Sequence, residues 1–146
     1  MPKRPYARIT GLLLTLTLAG CMGSPPDTEF GECPSSPNCV SSQATDEEHI
    51  IGSIRLAGPN SWQCLLEQAT RMEGEPRIVV QREDYVRIEY TSQTMRFVDD
   101  LELKREPDTA QVRSASRLGY RDFGVNRKRV NALQKTYGEQ CLKTAP

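Results

Sequence analysis

Residues 77–117, RIVVQREDYVRIEYTSQTMRFVDDLELKREPDTAQVRSASR, decide the fold that this sequence predicts. Four runs in this stretch have the apolar and β-branched content of strands, and most of them alternate between apolar and polar residues. The connections between the runs are short, so each strand must turn back beside the one before it. The sequence therefore predicts a four-stranded antiparallel meander with strands at residues 77–81, 85–90, 94–103 and 110–117.

Strand register is predicted by testing which turn position pairs apolar side chains with each other and acidic side chains with basic ones. A two-residue turn at Ser92-Gln93 pairs Tyr90 with Met95, Ile88 with Phe97 and Val86 with Asp99, and it sets Glu89 opposite Arg96. A two-residue turn at Pro107-Asp108 pairs Leu103 with Val112, Leu101 with Ser114 and Asp99 with Ser116, and it sets Glu102 opposite Arg113. Both registers put apolar residues together on one face and opposite charges together on the other.

Two helices flank the meander in the sequence. The first begins at Asn60 or Ser61 and ends at Gly74, with apolar residues at helical spacing between them. The second runs over about residues 125–137 and ends at Gly138. Together they predict a two-layer α+β fold, in which both helices pack on the apolar face of the sheet.

The first residues have the pattern of a secretory signal. Three cations precede a short apolar run, which is too short for a bilayer span and stops at Leu18-Ala19-Gly20-Cys21. This ending resembles the bacterial lipobox, so we expect a signal peptide at residues 1–20 and lipidation of Cys21; the alternative is an ordinary signal peptide. Met22, rather than Asp, after that cysteine favours the outer membrane, on its periplasmic side. Residues 21–32 then form a flexible tether, and residues 33–146 form a single α+β domain.

Charge and cysteine content exclude some classes of protein. The chain has 19 basic and 19 acidic residues, and three of the basic ones lie in the predicted signal, which leaves 16 against 19. A generally basic nucleic-acid binder is therefore not expected. The four remaining cysteines favour two disulfides over a zinc site, because the sequence has no Cys-x-x-Cys and a single histidine, His49. The preferred pairing is Cys33 with Cys39 and Cys64 with Cys141, although Cys39 is a competing partner for Cys64.

Asp99 and its neighbours predict a polar inset in the apolar sheet. The alternation of its strand places Asp99 on the core face, and the predicted register brings Ser114 and Ser116 close to it. Asp100 is grouped with them as a candidate. A buried carboxylate requires a partner or a proton. The alternative is a β-bulge at Asp99-Asp100 that turns Asp99 outward.

A run of positive charge suggests an anion site at the start of the last helix. Six cations face a single acid between residues 113 and 129. Cations at this end oppose the helix dipole, and the free backbone N–H groups there want an acceptor. A bound phosphate, sulfate or carboxylate would satisfy both. The expected anion-binding residues are Arg113, Arg117, Arg121, Asn126 and Arg127. The alternative is that the cations form a solvated face or are partners for Asp99, Asp100 and Glu102.

Four motifs together resemble one family, catalogued as domain of unknown function 1499 and seen in proteobacterial envelope proteins and photosynthetic organisms. They are CPSSPNCVSSQA at residues 33–44, FVDD at 97–100, VRSASRLGY at 112–120 and DFGVNRKR at 122–129. The resemblance implies that these segments form the working surface. It supplies no catalytic residues.

The leading hypothesis is a membrane-anchored binding or adaptor module for an anionic ligand or an envelope partner. The rival is a hydrolase or transferase that uses Asp99 or Asp100 as general acid–base, with Arg117 and Arg121 on an anionic substrate. A third hypothesis is a structural envelope protein. No cofactor is expected, since the sequence has no P-loop and no dinucleotide fingerprint, and it also lacks the Gly-x-Ser-x-Gly of many hydrolases. No metal is expected either, because Cys-x-x-Cys is absent and His49 is the single histidine.

Overall fold

A computed structural model describes residues 29–142. The expectations for the signal, for Cys21 and for most of the tether lie outside these residues. The described chain contains six strands, two α-helices and a short π-helix. In chain order they are β1 (Cys39–Ser41), β2 (Ile54–Arg55), α1 (Ser61–Thr70), β3 (Pro76–Gln81), β4 (Tyr85–Thr91), β5 (Val98–Arg105), β6 (Thr109–Ser116), α2 (Val125–Tyr137) and the π-helix (Gly138–Leu142).

The strands form one sheet with the order β1-β6-β5-β4-β3, and β2 also pairs with β6. Every pairing between these strands is antiparallel. The α+β class with an antiparallel sheet and two helices is confirmed, but the predicted count of four strands is wrong. β1 and β2 have only three and two residues and lie among loops. Such short segments have no readable alternation, so the sequence does not reveal them.

One predicted register is correct and the other is shifted. In the β5–β6 pair, Leu103 faces Val112 and Glu102 faces Arg113, as predicted. In the β4–β5 pair, Tyr90 faces Asp99 rather than Met95, a shift of four residues. The connection is longer than the predicted two residues, and its backbone closes through a hydrogen bond from the Ser92 amide to the Phe97 carbonyl. Because the shift is even, the side chains within β4 and β5 keep their predicted faces of the sheet. Met95 and Phe97 were predicted in the third strand but lie in the connection before β5.

Both helices pack on the same face of the sheet and form one hydrophobic core with it. The sheet residues of this core include Val86, Ile88, Tyr90, Leu101, Leu103, Ala110 and Val112, and the helix residues include Trp62, Leu65, Leu66, Ala69, Val130, Leu133 and Tyr137. Burial of each large aliphatic side chain stabilises the fold by roughly 1.5–3 kcal/mol. The buried Tyr90 hydroxyl is satisfied by donating to the Ala69 carbonyl at 2.7 Å, so the tyrosine ties β4 to α1.

The second helix has the predicted bounds, but its end differs from the prediction. Gly138 has a right-handed backbone (φ −59°), so it does not terminate the helix as a left-handed glycine would. The chain instead continues into the π-helix, which carries Cys141. Cys141 is disulfide-bonded to Cys64 of α1, with a Cα–Cα distance of 6.0 Å. Cys33 is bonded to Cys39, with a Cα–Cα distance of 5.6 Å. The preferred pairing of the four cysteines is therefore confirmed.

Candidate functional site

The polar inset lies between the sheet and α2. The β5 pairings run without a break from Val98 to Arg105, so no bulge turns Asp99 outward. Asn126 of α2 is fully buried and accepts a hydrogen bond from the Ser114 hydroxyl at 2.6 Å. Its amide donates to the Ser116 hydroxyl at 2.9 Å. The structure thus gathers Asp99, Ser114, Ser116 and Asn126 on one side of the sheet.

Arg129 completes this inset and was not among the expected site residues. Its guanidinium donates to the Asp99 carboxylate at 2.7 Å and to the Asn126 side-chain carbonyl at 2.8 Å. It also lies over the ring of Tyr90, 4.6 Å from the ring centroid. The signal in the sequence is the spacing, because residues three apart on a helix share a face and Arg129 follows Asn126 by three. The carboxylate of Asp99 therefore has an internal partner.

Asp100 lies on the opposite face of the sheet, so its grouping with the inset is corrected. Arg117 binds it through two hydrogen bonds, from Nε at 2.7 Å and from Nη2 at 2.8 Å. This bidentate geometry is the strongest arrangement of an arginine and a carboxylate. Asp100 belongs to a set that we call the ionic layer, in which three arginines balance three carboxylates: Arg87, Glu89, Asp100, Glu102, Arg113 and Arg117.

The register builds the ionic layer. Arg87, Glu102 and Arg113 face one another across β4, β5 and β6. Arg113 donates to Glu102 at 2.8 Å, and the Tyr85 hydroxyl donates to the same carboxylate at 2.7 Å. Burial raises the pKa of Tyr85, and the hydrogen bond to Glu102 raises it further. This hydroxyl therefore stays protonated and donates its hydrogen bond to Glu102 at any ordinary pH.

Glu89 and Asp100 lie directly opposite each other, which places two acids side by side. Arg117 relieves this repulsion, since it binds both carboxylates. Burial would raise the pKa of Glu89, but the hydrogen bonds from Arg117 and Arg77 outweigh that effect and lower it. The hydrogen bond to Asp100 is the largest of the causes that raise the pKa of Arg117. Arg117 is therefore the hub of the layer.

The chain near residue 30 crosses the ionic layer. The amide of Phe30 donates to Glu102, the carbonyl of Glu32 accepts from Arg113 at 3.5 Å, and Glu29 forms an ion pair with Arg82. From Cys33 the disulfide then leads to the start of β1. The segment and the layer thus hold each other in place.

The expected anion-binding residues do not form one open site. Arg113 and Arg117 are engaged by acids of the ionic layer. Arg127 donates to the backbone carbonyls of Glu48 and Ile50, each at 2.8 Å. The exposed Arg121 lies 5.9 Å from the ring centroid of Tyr120.

The start of α2 already has its own acid. Asp122 accepts hydrogen bonds from the amides of Gly124 and Asn126, each at 2.9 Å. A carboxylate at this end of a helix satisfies free N–H groups and complements the dipole. Asp122 is the single acid within the run of six cations. Its carboxylate takes the place of the ligand anion that the sequence predicts at this helix start.

Four large apolar side chains are exposed at one end of the sheet, and we call them the apolar tip. They are Met95 (65% exposed), Phe97 (42%), Tyr120 (66%) and Phe123 (87%). Met95 and Phe97 lie in the β4–β5 connection, and Tyr120 and Phe123 lie in the segment between β6 and α2. Both segments are at the end of the sheet where β4 and β6 terminate. Two of the four non-glycine residues with positive φ in the described chain, Arg96 and Phe123, also lie in these loops. Left-handed backbone at bulky residues is strained, and such strain gathers at functional sites.

A groove of about 450 Å³ runs between the end of α1 and the outer side of α2, and we call it the α1–α2 groove. From α2 it is lined by Val125, Lys128, Arg129, Ala132 and Thr136, and from the α1 side by Gln68, Arg71, Met72 and Glu73. A second cavity adjoins it and shares Glu73, Val125 and Arg129. Asp99 and Tyr90 line that second cavity, so the inset lies at one end of the groove.

His49 is buried and holds two loops together. Its Nδ1 lies 2.7 Å from the Asp46 carboxylate, and its Nε2 lies 3.1 Å from the Ser36 carbonyl. Burial would lower the pKa of His49, but the hydrogen bonds to Ser36 and Asp46 and the attraction of nearby acids outweigh burial and raise it. The imidazole contacts the backbone rather than the hydroxyl of Ser36, so this arrangement is not a catalytic triad.

Two further features concern the described residues as a whole. Within residues 29–142, no three histidine, cysteine or acidic side chains are grouped so that they could hold a metal ion. No helix of that range has the length and apolar character needed to cross a membrane.

These features define a disulfide-linked α+β protein built on an antiparallel sheet, with a charged layer on one face and two helices on the other. The chain belongs to the family described as protein of unknown function, DUF1499, whose sequence pattern matches residues 29–136. No curated protein and no solved structure matches the chain.

Proposed function

We propose that this chain is a lipid-anchored adaptor of the bacterial envelope, which docks a partner protein through its apolar tip. The observation that carries this proposal is the exposure of Met95, Phe97, Tyr120 and Phe123 together at one end of the sheet. Apolar side chains in such a cluster mark interaction sites, and aromatic residues and methionine are enriched in the centres of protein interfaces. The partner surface would be apolar, with acidic groups opposite Arg121.

The position of the tip favours a protein over the anchoring membrane. Glu29 is paired with Arg82, which lies beside the β3–β4 turn at the end of the sheet away from the tip. β4 alone spans about 23 Å between these ends, at roughly 3.3 Å per residue. A lipid on Cys21, on the outer membrane and facing the periplasm, would hold the chain from the end away from the tip. An anchor at that end favours a tip that faces away from the bilayer and towards a partner.

Binding accounts for the arrangement of charges better than catalysis does. Asp99 is held by Arg129 and Asp100 by Arg117, so each carboxylate has an internal partner instead of being presented to a substrate. Asp122 likewise occupies the position at the start of α2 where an anionic ligand was expected. The apolar side chains of the tip, in contrast, stay exposed, even though Tyr120 has Arg121 near its ring.

A photo-cross-linking amino acid at position 123, introduced in living cells, tests the proposal directly. We expect a covalent adduct with one envelope protein, and no adduct when the same group replaces Ile78, an exposed apolar residue on β3 away from the tip. With the purified partner, Phe123→Ser should weaken binding at least tenfold, as truncation of an interface hot spot does. Ile78→Ser should leave the affinity unchanged.

Three outcomes would overturn the proposal: adducts only with lipid, adducts only with a second copy of the chain, or no adduct. The first would mean that the tip enters a membrane, the second that the chain associates with itself, and the third that the protein has a structural role. The anchor is tested separately, because Cys21→Ser should release the protein from the membrane fraction. Retention of that variant in the membrane would contradict lipidation.

A further inference from the structure

The α1–α2 groove uses a face of α2 that is separate from its core face. Val125, Lys128, Arg129, Ala132 and Thr136 follow one another at helical spacing, offset from the buried stripe of Val130, Leu133 and Tyr137. From Val125 to Thr136 this face is about 16 Å long, at 1.5 Å per residue. The small, exposed Ala132 in its middle leaves a trough opposite Met72. The volume of about 450 Å³ falls within the range of small-molecule sites.

Positive charge on the groove is only partly compensated by the protein's own acids. Arg129 is neutralised by Asp99, but the nearest acid to Arg71 is the exposed Glu67 at 3.9 Å. Lys128 forms no hydrogen bond or ion pair through its side chain with any residue from 29 to 142. Glu73 is the one acid that lines the groove. An anion between Arg71 and Lys128 would therefore meet two cations with little competition from the protein's own acids.

We propose that this groove binds a single-chain anionic amphiphile. Its acyl chain would lie along Ala132 and Met72, and its carboxylate or phosphate would lie between Arg71 and Lys128. The groove accommodates a chain about as long as a dodecyl group. The groove suits one extended chain with an anionic head group, because its lining joins the apolar Ala132 and Met72 to the cations Arg71 and Lys128. This site is independent of the apolar tip.

Isothermal titration of the purified protein tests this inference. The probes are dodecanoate and lauroyl-lysophosphatidylglycerol below their micelle-forming concentrations, with dodecanol as the uncharged control and inorganic phosphate as the control without a chain. We expect one molecule of either anionic amphiphile to bind per protein. A preference for dodecanoate would identify the ligand as a free fatty acid, and a preference for the lysolipid would identify it as a phospholipid product. Equal binding of dodecanol, or of phosphate alone, would overturn the inference.

Two kinds of variant locate the site. Lys128→Glu and Arg71→Glu should each weaken dodecanoate binding at least tenfold, because both reverse a charge beside its carboxylate. Ala132→Trp should abolish binding by filling the trough. If circular dichroism shows that tryptophan disturbs the fold, Ala132→Leu replaces it as the test variant. Lys135→Glu, an exposed position of α2 outside the groove, makes the same charge change and should have no effect. Unchanged affinity in both Lys128→Glu and the Ala132 variants would disprove the site. Phe123→Ser should retain dodecanoate binding, so failure at the tip and failure at the groove are distinguishable.

Discussion

The side chains of Asp99 and Arg129 are joined by a 2.7 Å hydrogen bond that links β5 to α2 beneath the helix layer. Both side chains are nearly buried, at 13% and 10% exposure. Removal of one partner from such a pair leaves an unpaired charge in a poorly solvated place, which costs more than the pair contributes as a whole.

Arg129→Met should therefore lower the free energy of unfolding by about 3 kcal/mol. The measurement is chemical denaturation of the variant and the parent. The double variant Asp99→Asn, Arg129→Met should lose less than the sum of the two single variants, because it leaves no unpaired charge. Strict additivity would mean that the two side chains do not depend on each other.

Arg117→Met should be as damaging on the other face of the sheet. It leaves Glu89 and Asp100 opposite each other with no cation between them, and we expect a loss of about 3–5 kcal/mol in the free energy of unfolding. Arg77→Met is the matched control. Arg77 also pairs with Glu89 but is mostly exposed, so its loss should be about 1 kcal/mol or less. Equal losses in the two variants would show that the ionic layer is solvated and not a buried network.

The two disulfides should contribute unequally to stability. Cys64–Cys141 closes a separation of 77 residues and Cys33–Cys39 one of 6. On the chain-entropy account the longer loop stabilises by about 4.5 kcal/mol and the shorter by about 2 kcal/mol. Thermal unfolding of the paired serine variants should rank them in this order. If Cys33→Ser, Cys39→Ser proved the more damaging, the contacts of the crossing segment would outweigh loop entropy.

Stability should also depend on pH through His49. Its pKa is raised in the folded chain, so folding favours the protonated form. The contribution is fully present below the unfolded pKa of about 6.5 and is lost as pH rises through the folded value. Asp46→Asn should flatten the dependence of the melting temperature on pH between about 5.5 and 8.5. A variant that keeps the slope of the parent would assign the effect to another group.

The sequence predicted most of the sheet and both helices because their patterns are strong and local. The Pro107-Asp108 turn fixed the β5–β6 register correctly. The β4–β5 register was wrong because two registers that differ by four residues put the same side chains on the core face. The actual register sets Glu89 against Asp100, which pairing preferences disfavour, and only the distant Arg117 makes it acceptable. Arg117 follows β6, so a comparison of β4 with β5 alone does not reveal it.

The site was predicted in part for a similar reason. Alternation placed Asp99 and Ser114 on the core face. Asn126 was instead assigned to the anion site, and the structure places it in the inset. The sequence does not show which cation serves which acid, so Arg129 was counted with a surface run while it fills the inset. The groove could not be predicted, because it depends on how far apart two helices lie.

The path of the chain from residue 29 to β1 has a mechanical consequence. A pull on the chain before Glu29 first strains its ion pair with Arg82 and then the contacts of Phe30 and Glu32. At Cys33 the load leaves the main chain and passes through sulfur to Cys39, so residues 34–38 carry none of it. The disulfide thus carries tension past residues 34–38, and the tension reaches the sheet at its edge strand, β1, without opening the loop that contacts His49.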